Sequence, residues 1–256
     1  MSYRFLRLER SDDGIARIVL NRPPLNVLHI PMLEEMADAF DVIGADSTLK
    51  ALKISGAGRA FCAGVDVGDH TADRVESMLT LFHRVIVRLM GLDIPVVAAV
   101  HGATLGGGCE LMVACDLAVA RDDARIGQPE IQLAVFPPVA AALLPRLIGC
   151  QHAMELILTG RVLSAAEARE RGLVSEVWPA ECWEERVREY MARFAALSGP
   201  VLRLTKRAVV DGISLDPNEA MRHAESVYLN ELMRLRDPHE GLAAFIDKRR
   251  PVWQEA

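Results

Sequence analysis

Pro95–Glu110 read Pro-Val-Val-Ala-Ala-Val-His-Gly-Ala-Thr-Leu-Gly-Gly-Gly-Cys-Glu, and the change of character within this stretch sets the architecture. Pro95–Val100 is a short apolar run rich in valine, which reads as a buried strand. From Gly102 to Cys115 the chain is first glycine-rich and then helical in pattern. A strand that passes through glycines into a helix is the repeating joint of an α/β fold.

The same joint recurs on either side. Towards the N-terminus, Ile15–Leu20 (IARIVL) is a β-branched run ended by Asn21-Arg22-Pro23-Pro24, a turn composition. Pro31–Ile43 places Met32, Met36, Ala39, Phe40 and Ile43 on one helical stripe. Leu49–Ser55 predicts the next strand and Met78–Met90 the next helix. Towards the C-terminus, Leu117–Ala120 predicts a short strand, and Pro137–Gly149 a helix with proline in its first turn. Strand and helix in alternation predict a mostly parallel sheet. After about Gly199 the pattern changes. Pro200–Asp211, Pro217–Leu235 and His239–Lys248 read as helices with no strand between them. The expected organisation is therefore an α/β core over 1–199 and a helical region over 200–256. Such a tail needs an apolar partner surface, on its own core or on another subunit.

Composition narrows the function classes. Half of the 256 residues are hydrophobic and 25% are charged, with a net charge of −6. This is the profile of an ordinary folded protein with a large core. A mildly acidic chain with 5% aromatic residues and no basic stripe argues against nucleic acid or an anionic membrane as partner. The apolar run Ile94–Val100 is too short to span a bilayer, and Met1–Arg10 lacks the apolar stretch of a secretory signal. The five cysteines contain no CxxC pair, and neither they nor the histidines form a metal-binding pattern such as HExxH. A cytoplasmic protein with reduced thiols and no metal is expected.

Two glycine-bearing segments follow predicted strands: Ala60-Phe61-Cys62-Ala63-Gly64-Val65-Asp66-Val67 and His101–Glu110. Glycines there let the backbone approach a ligand closely, and the second run opens a helix, where free N–H groups favour developing negative charge. Tight turns are the other reading of both. Neither GxxxxGK[ST] nor, after the first strand, GxGxxG occurs. Glu110 lies in the first turn of that helix, and Glu130 follows in Gly127-Gln128-Pro129-Glu130. Each alone reads as a helix-start charge or a solvated loop residue. Together they bracket a predicted strand that could fold them towards one site, where one carboxyl takes a proton while the other gives one.

The segments FCAGVD, GGGCELMVACDLAVA, GQPEIQLAVFP and LTGRVLSAAEARERGLVSEV resemble those of the enoyl-CoA hydratase/isomerase (crotonase) family, and the likeness extends from Ile18 to Arg249. The resemblance implies a crotonase-like spiral of ββα turns with a C-terminal helical trimerisation region, in a homotrimer or a hexamer built as a dimer of trimers. It implies an oxyanion hole from the backbone N–H groups of Val65 and Gly107, holding the thioester oxygen of an acyl-coenzyme A substrate. Glu110 would help to activate a water and Glu130 would deliver a proton to the α-carbon, which makes a hydratase the first expectation. A double-bond isomerase or a C–C hydrolase on a similar thioester is the alternative. Coenzyme A, as part of the substrate and not as a resident cofactor, would run along Pro24, Leu25, Val27, Ala63, Asp66 and Val67. Phe245 and Lys248 would reach its nucleotide, sometimes from a neighbouring subunit, although Lys248-Arg249-Arg250 also reads as a solvated helix end. Arg22 and Arg59 are further phosphate candidates. Cys62 and Cys109 read as small packing residues.

One stretch departs from the common pattern. Phe136-Pro137-Pro138-Val139-Ala140-Ala141-Ala142 stands where the common hydratases carry a glycine-rich run. Extra methyl groups there reshape an acyl pocket or simply strengthen the helix. With the tight Arg22–Leu28 segment, this resembles the branch that hydrates cyclohexa-1,5-diene-1-carbonyl-CoA. Aromatic-compound degradation or fatty-acid degradation is the corresponding setting.

Overall fold

The computed structural model describes residues 3–255. In chain order the elements are β1 (Leu6–Arg10), β2 (Ile15–Leu20), α1 (Ile30–Gly44), β3 (Ala51–Gly56), α2 (Val75–Met90), β4 (Val96–Val100), β5 (Ala103–Leu105), α3 (Gly107–Val113), β6 (Leu117–Arg121) and β7 (Arg125–Gly127). There follow α4 (Pro138–Ile148), α5 (Cys150–Thr159), β8 (Val162–Ser164), α6 (Ala165–Glu170), β9 (Glu176–Trp178), α7 (Trp183–Ala195), α8 (Gly199–Gly212), α9 (Pro217–Asn230) and α10 (Arg236–Ile246).

The main sheet runs β1-β2-β3-β4-β6-β9. It is parallel except at the β1–β2 hairpin. All five residues of β4 are buried because both sheet faces are covered. Leu52, Ile54, Ala98 and Val100 pack in the cluster that holds the apolar stripes of α1 and α2. Ala51, Val97, Ala99 and Val119 pack with Trp183, Val187 and Met191 of α7. This two-sided burial is what the unbroken apolar run in Pro95–Val100 predicts.

A second, smaller sheet is ordered β5-β7-β8. Single bridges continue it, Cys62 to Thr104 and Val65 to Leu28. Each turn of the chain therefore lays one strand in each sheet and returns through a helix, the expected spiral of ββα turns. The three-residue strands β5, β7, β8 and β9 are too short to show a period in the sequence. One predicted helix is corrected. Pro217–Leu235 is not continuous, because the chain leaves the helical conformation at Glu231 (φ −125°, ψ −58°) and makes a separate short turn at Leu232–Arg234. The Glu231 carboxylate pairs there with Arg207 of α8, a tertiary contact that propensity does not see.

The C-terminal helices are tied to the core at α8. Lys206 Nζ donates to Ile94 O (3.0 Å) and to Asp116 Oδ2 (2.7 Å), while Arg203 donates to Leu49 O (2.8 Å). Their outer faces stay apolar and open. Val209, Ile213, Met221, Leu229, Leu242 and Ile246 are exposed, and Phe245 is 85% exposed. No helix among the described residues is long and apolar enough to cross a membrane.

Candidate active site

The segment after β2 and the segment after β3 run together as a parallel pair. Ala63 N donates to Leu25 O (2.9 Å), Leu28 N to Gly64 O (2.9 Å) and Asp66 N to Leu28 O (2.7 Å). Pro24, Leu25 and Val27 are thereby set beside Ala63, Asp66 and Val67. Val65 lies inside this pairing, and its own N–H donates to no protein acceptor among the described residues.

The glycine run comes up against Val65. Gly106 adopts φ 52° and ψ −126°, a conformation that an L side chain resists, and its N–H donates to Gly127 O (3.0 Å). Gly107 opens α3. A Cβ on Gly107 would stand 2.5 Å from Val65 Cγ2 and 3.5 Å from Val65 N, so glycine here leaves room for the β-branched Val65 side chain beside the start of α3. The Gly107 N–H, at the first helical position, is also without a protein acceptor among the described residues. Two free donors thus lie side by side, with the Phe82 ring edge behind them at 3.6 Å from the same Cβ position.

The two candidate carboxylates stand on the elements that follow the glycine run, Glu110 on α3 and Glu130 after β7. Glu110, in the first turn of α3, is 4% exposed. Its Oε1 accepts from Ala140 N at 2.9 Å, in the first turn of α4. Burial pushes its pKa up to about 7, and the Glu130 charge adds to the rise, while the Ala140 N–H pulls the other way. Glu130 stands in the short turn Pro129–Leu133 after β7. Its Oε1 lies only 2.7 Å from where a Cβ on Gly106 would sit. Burial raises this carboxyl as well, and the nearby His70 moderates the effect. The fully buried Gln128, with its amide nitrogen turned towards Glu130, donates to Oε1 (3.0 Å) and Oε2 (3.2 Å). The Glu130 charge thus disfavours ionisation of the buried Glu110.

The remaining candidates fall in three places. Arg22 donates to Val27 O (2.8 Å) and pairs with Asp66 Oδ2 (3.2 Å), so its charge is already matched within the protein. Arg59 is exposed on the loop after β3. Phe245 and Lys248 lie on the outer side and at the end of α10, which packs on the Leu232–Arg234 turn; within one chain they do not join the carboxylates. Cys62 and Cys109 are fully buried, and burial pushes the Cys62 thiol up to about 12 and raises Cys109 also. Neither is a thiolate at neutral pH, consistent with packing.

Three participants escape the sequence reading. Gln128, the Ala140 N–H and Asn26 matter through what they touch, and only Gln128 carried a hint, from its place two residues before Glu130. The unusual Pro137–Ala142 stretch proves to be the start of α4. Pro138 has no N–H, Val139 and Ala140 are buried, and Ala141 and Ala142 are exposed.

Residues 10–256 match the family model described as enoyl-CoA hydratase/isomerase. A probable enoyl-CoA hydratase of Mycobacterium bovis is 36% identical, over 98% of each chain. The cyclohexa-1,5-dienecarbonyl-CoA hydratase of Thauera aromatica is 33% identical, over 96% of this chain and 95% of that one. Among solved structures, the enoyl-CoA hydratase of Bacillus anthracis superposes with a TM-score of 0.94 at 33% identity, covering 99% of this chain and 100% of the other.

Proposed function

We propose that this chain, which belongs to the enoyl-CoA hydratase/isomerase family, is a hydro-lyase that adds water across a C=C conjugated to a coenzyme A thioester. The observation that carries the reading is the pairing of two carboxyls with raised pKa, the buried Glu110 and the half-buried Glu130, with two backbone donors that no protein acceptor uses among the described residues.

In this reading the thioester oxygen accepts from the N–H groups of Val65 and Gly107. The oxygen of a water held by the carboxyls bonds to the β-carbon, and the π electrons move towards the thioester as an enolate. Charge then develops on the oxygen, where pre-set donors are most effective. Glu130 supplies a proton to the α-carbon. The proton lost by the water passes to the carboxyl pair, with Glu110 helping to activate that water, and restores the starting state. Coenzyme A follows Pro24, Leu25 and Val27 on one side and Ala63, Asp66 and Val67 on the other. Phe245 and Lys248 serve the nucleotide of a neighbouring subunit in a homotrimer, or in a hexamer made of two trimers. The open apolar faces of α8–α10 support that assembly, and the cytoplasm is its setting.

A cyclic dienoyl thioester is the finer proposal for the substrate. The relative that acts on cyclohexa-1,5-dienecarbonyl-CoA and the altered Pro137–Ala142 stretch support it. The test is hydration of crotonyl-CoA and of cyclohexa-1,5-diene-1-carbonyl-CoA side by side, with Glu130→Gln as control. Turnover of the cyclic diene that depends on Glu130, with little on crotonyl-CoA, is expected. Good turnover of crotonyl-CoA would make the protein a general enoyl-CoA hydratase. No hydration of either would leave a double-bond isomerase or a C–C hydrolase.

A further inference from the structure

We propose that Asn26 is a positioning residue for the Val65 N–H, holding the donor in place without touching substrate. The proposal rests on the reading of Val65 and Gly107 as donors to the thioester oxygen. Asn26 is fully buried, with φ 52°, a left-handed conformation that asparagine tolerates better than most residues. Its Nδ2 donates to Ala57 O (2.8 Å), Ala60 O (2.8 Å) and Phe61 O (3.1 Å), and its Oδ1 accepts from Arg22 N (3.0 Å). The amide has two hydrogens for three carbonyls, so its donor capacity is used up inside the protein.

The consequence runs outward along the loop. Ala60 and Phe61 lead directly into Cys62–Val65. Phe61 N donates to His101 O (2.8 Å), Cys62 N to Ala103 O (3.1 Å) and Leu105 N to Cys62 O (3.0 Å). The loop is thus held by Asn26 on one flank and by the strand that delivers Gly107 on the other. The backbone on either side of Asn26 closes the frame, through Leu25 O to Ala63 N and through Leu28 to Gly64 and Asp66. The residues on either side of Val65 are held, while the Val65 N–H itself has no protein acceptor among the described residues. Without the Asn26 amide, three carbonyls at the root of the loop lose their common donor, and the spacing of the Val65 and Gly107 donors relaxes. Displacement of a reacting group by about an ångström is enough to cost on the order of a hundredfold in rate.

Two variants test this. Asn26→Gly keeps the left-handed backbone and removes the amide; Asn26→Asp keeps the shape and turns the donor into an acceptor. Each is compared with the wild type by kcat and KM on the better of the two thioesters named above, and by infrared spectra of bound butyryl-CoA carrying ¹³C at the carbonyl. In the wild type the bound carbonyl stretch should lie below that of free butyryl-CoA, because the oxygen accepts hydrogen bonds. In the variants we expect that shift to fall to about half or less and kcat to drop about 30- to 100-fold, with KM held within about threefold. A full wild-type shift in both variants, or an unchanged kcat, would overturn the proposal. Loss of the folded circular dichroism spectrum in both would assign Asn26 to the fold alone and overturn it equally. An unshifted carbonyl in the wild type would sink the Val65–Gly107 reading itself, a failure distinct from one confined to the variants.

Discussion

At Glu110 the balance is between burial and one hydrogen bond. The carboxyl is 4% exposed, and its pKa rises to about 7 despite the Ala140 N–H. An acid whose folded pKa lies above its unfolded value costs stability wherever the unfolded chain ionises first. That cost is absent below about pH 4.5, grows up to about pH 7 and is constant above it. Glu110→Gln keeps an acceptor for Ala140 and removes the charge. It should stabilise the protein by about 3 kcal/mol at pH 8.5 and make no difference at pH 4, as read from urea unfolding at both pH values. Hydration should fall sharply in the same variant. Gly107→Ala is argued from space instead. Its methyl group would meet Val65 Cγ2 at 2.5 Å, so the stiff, β-branched Val65 side chain or the segment that carries it must shift. Turnover should fall by about a hundredfold or more, the scale of losing one oxyanion donor, in steady-state kinetics on a folded variant. Both glutamates were legible as candidates from their motifs. Gln128 carried only the hint of its place beside Glu130, and the Ala140 N–H carried none, because its partner Glu110 lies thirty residues away in the chain.

Among the elements, α4 and α8 carry the most consequence. The Pro138 ring removes one donor from the start of α4 and leaves the next N–H groups to face Glu110. The sequence showed the proline start but left open whether the following alanines shape a pocket or strengthen a helix. The structure buries Ala140 and exposes Ala141 and Ala142, which places only the first part of the stretch in the interior. For α8, Lys206 is the tether: its side chain is 9% exposed, and it meets both Asp116 and the Ile94 carbonyl. Asp116 also accepts from Val96 N at 2.7 Å, so it joins α8 to the first residue of β4. Lys206→Ala should cost about 2–3 kcal/mol, in the range for truncating one partner of a buried charged hydrogen bond. Hydrogen exchange should show α8 losing protection before the sheet does. The other helices longer than ten residues were found from their patterns, but α7 (Trp183–Ala195) was not, and neither were the three-residue strands of the second sheet, since a period of two needs more residues than that to show.

For the molecule as a whole, the open question is what covers the outer faces of α8–α10. A single chain leaves Val209, Ile213, Met221, Leu229, Leu242, Phe245 and Ile246 in contact with water, more than isolated surface hydrophobics explain. We expect a homo-oligomer in sedimentation velocity, and expect Ile213→Asp combined with Ile246→Asp to shift it to monomers. If Phe245 and Lys248 serve a neighbour's nucleotide, the monomeric variant should also show a raised KM for the acyl-CoA. The sequence by itself determined the alternation of strand and helix, the all-apolar central strand, the helical tail and the two glutamates, because each is written in local composition or in a motif of adjacent residues. Only the tertiary structure decided that Glu110 is buried within reach of the Glu130 charge, that Gly107 lies against Val65, and that Asn26 ties down the loop leading to Val65. Those facts depend on distances between segments far apart in the chain, and such distances are set by how the two sheets and their helices pack together, which no single segment encodes.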